Sequence, residues 1–410
     1  MGILARSRWP ELEKLASEGK SIKEIAEAAG IHYGTAKQTL SAIRKAGGAS
    51  KPKAEKLTPV QEHQLKRQNK HLAGQLEELA ERYERDNRLA GLLAEMRQQE
   101  LKPPAWAMPG TSQSGHQIAC TVLSDCHYDE VVNPEEVAFT NAYNRQIAEL
   151  RTRTYFDNVC RLHDDVGVPL DGLVLCLAGD MVSGNIHEEL AQSNDAHIMN
   201  TVVHWSEQLS AGVALLADTF GKVHVPCVTG NHGRNTRKPR NKGRAEDNFD
   251  WLIYKLIERE FRNDPRVTFQ IPNNSDCRFN IFSTRYQLSH GDQFRGGNGI
   301  AGIFSPIMRG DHQKRKRETS INTPYDVLIM GHWHQLLDMR RVVVNGSLKG
   351  YDEYAYANNF DFQPPEQAFW LTHPKYGKTI TAPVRVISDR ERALWPQSND
   401  VSANWMNGAA

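Results

Sequence analysis

No run of this 410-residue chain is apolar for the roughly 20 residues that a membrane-spanning helix takes, and its most apolar stretch, Gly172 to Ala178, has the length of a buried strand. The opening residues, MGILARSRWPELEK, hold no apolar core of the kind that marks a secretory leader. Cysteine is scarce too: Cys120, Cys126, Cys160, Cys176, Cys227 and Cys277 form no CxxC pair and fall mostly inside strand-like runs. They read as reduced core residues, not as a disulfide framework, and a cytoplasmic location is expected. Neither sign of charge is in excess, since 50 Lys and Arg stand against 49 Asp and Glu. Net charge therefore points to no partner, and only its local clustering can do so.

What is present divides the chain by texture. At 39% hydrophobic and 24% charged residues the composition is that of a globular protein, too long for one ordinary core. Residues 1–50 are helix-patterned, 57–100 read as one long polar helix, 101–117 as a breaker-rich linker, and 118–385 as strands alternating with helices. Residues 386–410 are a polar tail with little pattern.

Ser21 and Glu24 have capping-box spacing ahead of Ile22, Ile25 and Ala26, Gly30 ends that helix, and a second helix is expected over about 33–45. The run S-I-K-E-I-A-E-A-A-G-I-x-x-x-T-A-x-x-x-L resembles the helix-turn-helix of bacterial and phage DNA-binding domains. That resemblance would place His32, Tyr33, Gly34, Lys37 and Gln38 at a major groove. Basic residues outnumber acidic ones by 11 to 6 over residues 1–56, which suits a surface facing phosphates. In 57–100, Leu65, Leu72, Leu76, Leu79, Tyr83, Ala90 and Leu93 sit near heptad spacing, with Asn69 and Asp86 interrupting the seam. A coiled coil joining two copies is the expectation, and a single helix packed on the larger domain is the alternative.

The chemistry lies in short polar motifs in fixed order: Ser124-Asp125-Cys126-His127, Gly179-Asp180, Gly230-Asn231-His232, Ser289-His290-Gly291-Asp292 and Gly331-His332-Trp333-His334, with Asn345-Gly346-Ser347 after them. Short apolar runs precede them, at 118–123, 173–178, 223–229, 286–289 and 327–330. Each run reads as a buried strand, and side chains at the carboxyl ends of such strands can converge on one crevice.

In this order the motifs resemble those of the calcineurin-like metallophosphoesterases, whose pattern is DxH, GD, GNH, H and GHxH. The resemblance covers about residues 118–385. It implies a two-sheet α/β/β/α sandwich, here preceded by a small all-α helix-turn-helix domain and a long helix. It also implies two divalent cations, which about 3.5–4 Å apart clamp a phosphoryl centre and supply a hydroxide nucleophile. Carried over, Asp125, His127 and His334 would hold one ion, Asn231, His290 and His332 the other, and Asp180 would bridge them. In G-H-x-H, alternate residues of an extended segment would present one imidazole to each ion. His232, beside a ligand, would be the general acid that protonates the leaving group. The family often has Asp or Glu after this His; here it is Gly233, so another carboxylate, with Asp292 the candidate, would orient the ring. A mixed His/Asp/Asn shell without thiolate suits Mn²⁺, Fe or Zn²⁺ better than Mg²⁺ alone, and the resemblance to the nuclease-type members of the family implies Mn²⁺ among these.

The motifs leave the phosphoester open. Residues 234–244 carry Arg234, Arg237, Lys238, Arg240, Lys242 and Arg244 without an acid, and 309–317 add five more basic residues. With the N-terminal segment these point to DNA as the partner and to a nuclease acting on phosphodiester bonds. A phosphatase for phosphoprotein or small phosphates, tethered to DNA, is the first alternative, and a DNA-binding regulator with a vestigial site is the second.

Overall fold

The computed structural model describes residues 2–47, 66–75, 77, 115–186, 188–296, 302–392 and 394. It divides into two compact units, Met1–Arg97 and Gln98–Ala410. In the first, α1 (Trp9–Ser17), α2 (Ile22–Ala28) and α3 (Tyr33–Lys45) enclose a core of Leu12, Ile25, Ala29, Leu40 and Ile43. The capping box forms in both directions: Ser21 Oγ accepts the Glu24 N–H, and the Glu24 carboxylate accepts the Ser21 N–H at 2.8 Å. Gly30 follows α2 at φ +64°, a left-handed turn that glycine takes without steric cost, and the chain enters α3 through His32, whose Nδ1 accepts the Gly34 N–H. His32, Tyr33, Lys37 and Gln38 are exposed along the start of α3. Residues 66–75 are helical and exposed, while the rest of the 57–100 seam lies outside the described residues.

The second unit holds two sheets. One has the order β11-β10-β1-β2-β3-β4, from β1 (Gln117–Leu123), β2 (Leu170–Leu177), β3 (Val223–Pro226), β4 (Val267–Gln270), β10 (Glu366–His373) and β11 (Gly377–Arg385). The other is β5-β6-β7-β9-β8, from β5 (Asp276–Ile281), β6 (Thr284–Ser289), β7 (Val327–Met330), β8 (Leu337–Asp338) and β9 (Val342–Val344). The helices of this unit are α4 (Arg145–Asp165), α5 (Glu188–Ser193), α6 (Ile198–Phe220), α7 (Phe249–Glu260), α8 (Phe304–Ser320), α9 (Glu353–Ala357) and α10 (Asp389–Arg392).

Strand alternation builds the sandwich. Ile118, Cys120 and Val122 of β1 face the second sheet and share a buried cluster with Phe279, Leu288 and Ile329. Thr121 faces the other way and hydrogen-bonds Tyr155 of α4 at 3.0 Å. A second cluster, with Ile307 of α8 against Leu328, Met330, Val342 and Val344, covers the outer face of the second sheet. The layers are therefore α/β/β/α, as expected. β1, β2 and β3 run parallel, as do β6 and β7, so the motif-bearing loops leave each set at a common end. The β3 strand stops at Pro226, short of the expected 229, because the chain turns early into the Gly230-Asn231 loop. Among the described residues no helix is long and apolar enough to cross a membrane.

The segment beyond 385 is not a loose tail at its start. Glu391 on α10 is fully buried and pairs at 2.7 Å with Arg151 of α4, itself fully buried. Arg151 also donates to the carbonyls of Leu348, Lys349 and Ala142 and to Asn141 Oδ1. Taking away one partner of a buried ion pair leaves the other charge without its counter-charge. Glu391→Ala is expected to destabilise the larger unit by about 3 kcal/mol. Urea unfolding of the variant checks this, and a midpoint equal to that of the parent would mean the pair contributes nothing.

Candidate metal centre

The loops that leave β1, β2, β3, β6 and β7 bring the polar motifs together. Asp125, His127 and His334 have ligand atoms within 4.8 Å of one another, as do Asp180, His290 and His332, and as do His127, Asp180 and His232. His127 and Asp180 each belong to two of these groups, so the three form one continuous cluster. Asn231 joins it through Oδ1, which lies 3.2 Å from His290 Nε2.

The backbone is bent to achieve this. Asp125, His127, Asp180, His332 and His334 all have positive φ, between 45° and 69°. L-residues avoid that region, at a cost of order 1–3 kcal/mol each, and such outliers persist where the surrounding structure over-determines them. The expectation of an extended G-H-x-H segment is corrected here: His332 and His334 sit in left-handed turns (φ 69° and 55°), and these, not strand alternation, aim the two rings.

Each donor is held from behind. Ser124 Oγ donates to Asp125 Oδ2 at 2.5 Å and in turn accepts from Asn345 Nδ2 at 2.9 Å, while Ser347 Oγ donates to the Asp125 carbonyl. The Asn345-Gly346-Ser347 motif thus buttresses the first carboxylate. His290 Nδ1 lies 2.8 Å from the Ala178 carbonyl; a carbonyl only accepts, so Nδ1 carries the proton and Nε2 faces Asp180 and Asn231. His127 Nδ1 lies 3.3 Å from Glu130 Oε2, and Glu130 is paired with the buried Lys349 at 2.7 Å.

The donor set fits divalent cations. His127 Nε2 and His334 Nε2 face each other at 3.1 Å, and His290 Nε2 faces Asp180 Oδ2 at 3.0 Å and Asn231 Oδ1 at 3.2 Å. Lone pairs that converge this closely call for a shared cation, a proton or a metal ion. Burial pushes the His127 and His332 pKa values down to about 4, with Lys349 and His290 respectively adding to the effect, so both rings are neutral at neutral pH. Burial works against charging Asp180 too, but the neighbouring His290 and His232 charges outweigh it and hold its carboxyl well below the usual range. Asp125 is likewise held low by His334 against the cost of burial.

His290 is the exception. Burial opposes its charging, yet Asp180 beside it raises its pKa to about 10. The metal-free ring is therefore protonated from neutral pH up to about 9, whereas a ligand must present a bare Nε2. Metal uptake near pH 7.5 is expected to release about one proton, fading as pH nears 10. Calorimetric titration with Mn²⁺ in buffers of different ionisation enthalpy reads this directly; an enthalpy independent of buffer would contradict it.

The structure also shows what orients His232. Asp292, the carboxylate expected there, holds Arg244 through Oδ1 at 2.7 Å. Instead His232 Nδ1 lies 3.0 Å from the Ser183 carbonyl, and the His232 backbone N–H donates to Asp180 Oδ1 at 2.7 Å. The glycine after His232 also has a reason. A Cβ at Gly233 would strike Asn248 Oδ1 and lie 2.7 Å from Asp250 Oδ1, so no larger residue fits there.

Asp250 is a residue that motif reading missed. Its fully buried carboxylate accepts the N–H groups of Asp180 (3.0 Å), Met181 (3.1 Å) and Gly230 (2.8 Å), tying the loop that carries Asp180 to the loop that carries Asn231. Burial, with the Asp180 charge, raises its pKa to about 7. The only sequence signal was Asn248, whose side chain caps α7 by accepting the Asp250 N–H.

The basic candidates divide. Arg237, Lys238, Arg240 and Lys242 are exposed on the loop beside Asn231. Arg234 is turned inward, donating to the Asn231, Thr236 and Arg237 carbonyls, and Arg244 holds Asp292. Arg234, Arg240, Lys242 and Arg244 line an open cleft of ≈ 410 Å³ that also takes in Asn231 and Asp292. The second basic run, at 309–317, lies on α8, with Lys314 buried and Arg309, Lys316 and Arg317 exposed. There Lys314 pairs with Asp276, Arg315 with Asp311, and Arg317 with Asp276 and Glu318. With three of its five charges paired, it offers less to a phosphate-facing surface than its sequence suggests.

No family model and no curated protein matches the chain. Among solved structures it is similar to a conserved protein of Streptococcus pneumoniae described as a predicted phosphoesterase, at 12% identity over 67% of this chain and 94% of that one, TM-score 0.27. It is similar too to a dimetal phosphatase of Danio rerio, at 9% identity over 66% and 99%, TM-score 0.31. A third, vacuolar protein sorting 29 of Cryptosporidium parvum, shares 12% identity over 65% and 97%, TM-score 0.25. At these values the likenesses decide nothing about the chemistry of this chain, which rests on its own residues.

Proposed function

We propose that this chain is a metal-dependent phosphoesterase with two divalent ions, manganese by preference, and that it hydrolyses phosphodiester bonds in DNA. The observation that carries the reading is the sharing of His127 and Asp180 among three donor groups in one buried cluster. Two ions held side by side supply charge to clamp a phosphoryl group and activate water near neutral pH. Asp125, His127 and His334 would hold one, Asn231, His290 and His332 the other, with Asp180 shared.

The remaining work falls to side chains of this protein. His232 keeps its Nδ1 proton on the Ser183 carbonyl, so its other nitrogen is the one that hands a proton to the departing alkoxide. Burial lowers its pKa, while the Asp180 and Glu130 charges work the other way and favour the protonated form it needs. Arg240 and Lys242 in the cleft beside Asn231, and the exposed Arg237 and Lys238 on the same loop, offer their charges to neighbouring phosphates. In the same proposal the exposed His32, Tyr33, Lys37 and Gln38 of α3 contact DNA and tether the enzyme to it, and residues 57–100 pair two copies.

The test is a parallel assay with Mn²⁺ on methyl p-nitrophenyl phosphate, on p-nitrophenyl phosphate and on linear DNA. The diester and DNA are expected to be cleaved, and chelation to stop both. Changing Arg237, Lys238, Arg240 and Lys242 to Ser should slow DNA cleavage and flatten the salt dependence of DNA affinity, which runs at about −0.9 in log–log slope per phosphate contacted on duplex. Hydrolysis of the small diester should be untouched. Monoester hydrolysis with DNA left intact would replace the nuclease reading with that of a phosphatase tethered to DNA.

A further inference from the structure

One exposed surface beside the centre has no part in this chemistry. Tyr351, Tyr354, Tyr356, Phe360 and Phe362 fall within twelve residues. Tyr354 is 68% exposed, and Tyr356, Phe360 and Phe362 are each about half exposed, at 49%, 50% and 51%. Rings this open are costly on a soluble surface unless something covers them in use. They meet one another edge to face, with Tyr351 5.6 Å from Phe362 and Tyr354 5.8 Å from Phe360 between centroids, and none of these pairs is stacked.

The segment is anchored at both ends to the loops of the centre. Asp352 pairs with Lys349, whose Nζ also holds Glu130, and Glu130 lies against His127 Nδ1. At the far end Gln363 Oε1 accepts the N–H of Leu336, two residues beyond His334, at 2.6 Å. Between these anchors the Glu353 carboxylate accepts the Asn133 N–H at 2.6 Å. The aromatic segment is thus fixed at the His127/His334 half of the centre, and the exposed cations lie at the Asn231 half. It carries Asp352, Glu353 and Asp361 but no Lys or Arg, so it does not attract phosphate, and its contribution is ring surface alone.

We infer that residues 351–362 are a stacking platform for the bases of a single-stranded nucleic acid whose phosphodiester enters the centre. The inference rests on the nucleic-acid reading above and narrows it. Exposed aromatic faces are what unpaired bases stack on while cations follow the backbone, whereas in a duplex the base faces are covered by their neighbours. The cations hold the backbone on one side, and the rings take the bases on the other.

Binding separates this inference from the catalytic reading. The full chain, in EDTA, is titrated by fluorescence anisotropy with a thymidine dodecamer and with an abasic phosphodiester of the same length and charge. The protein is expected to favour the dodecamer by roughly 10- to 100-fold, the worth of one or two stacked bases. Tyr354→Ala combined with Phe360→Ala should remove that preference while leaving abasic binding unchanged. Tyr354→Phe combined with Phe360→Tyr should keep it. Both pairs of changes lie on the surface, and hydrolysis of methyl p-nitrophenyl phosphate with Mn²⁺ should match the parent, which reports that the centre is intact. Contacts made by the N-terminal unit are the same in all variants. Equal affinity of the parent for both probes, or an alanine variant that keeps the preference, overturns the platform and leaves the rings to a protein partner. Absence of diester hydrolysis alone would overturn the phosphoesterase reading without touching the binding result.

Discussion

Asp180→Asn is expected to lose bound metal and with it all measurable hydrolysis. Asp180 is the carboxylate common to two donor groups, one with His127 and His232 and one with His290 and His332. Asparagine keeps the shape and can still accept the His232 N–H through Oδ1, so the fold should survive. What disappears is the negative charge between the two donor groups that would each take a divalent cation. In a buried setting that charge offsets repulsion between the ions, and unit charges about 4 Å apart interact by several kcal/mol even at an effective dielectric of 20. Elemental analysis after gel filtration decides the matter: two equivalents of metal in the variant would rule out the shared role. Thermal melting serves as the control, since an unfolded variant would lose metal for a trivial reason.

His232→Ala should separate turnover from metal binding. The ring lies within ligand distance of His127 and Asp180, with ring centroids of His127 and His232 4.4 Å apart, so a ligand role and a proton-donor role make different forecasts. As donor, its loss lowers the rate by roughly 10²- to 10⁴-fold and leaves metal content near that of the parent. The deficit should shrink on an ester whose leaving group is already acidic, such as p-nitrophenolate, because such a group departs without a proton. As ligand, its loss empties the site and slows every ester alike. Rates on a p-nitrophenyl and an alkyl diester, beside metal analysis of the same preparation, tell the two apart.

Much of this was legible along the chain. The continuous apolar run of β1, the capping box at Ser21 and the helix over 33–45 follow from local preferences that need no distant partner. The donor types were visible as well, because Asp, His and Asn at the ends of apolar strands are unusual unless something binds them. The motif resemblance assigned Asp125, His127 and His334 to one ion and Asn231, His290 and His332 to the other, with Asp180 shared; in the structure the ligand atoms of Asp125, His127 and His334, and those of Asp180, His290 and His332, lie within 4.8 Å of one another.

Other features were settled only by folding, and for one physical reason: they depend on which distant groups a side chain meets. His232 is oriented by a main-chain carbonyl, which every residue has and no motif can announce. Asp250 ties two loops together through three backbone N–H groups contributed from 20 to 70 residues away. The basic run on α8 looked like the one at 234–244, yet Asp276, Asp311 and Glu318 neutralise most of it, since charge sign is written in sequence and charge pairing is not. Arg151 and Glu391 are 240 residues apart and both fully buried, an arrangement that nothing in the polar texture of the last residues discloses. A run of residues determines its own helix or strand. Which partner satisfies a buried polar group is decided by the packing of sheets and loops against one another, where leaving that group unpaired costs more than local preference can return.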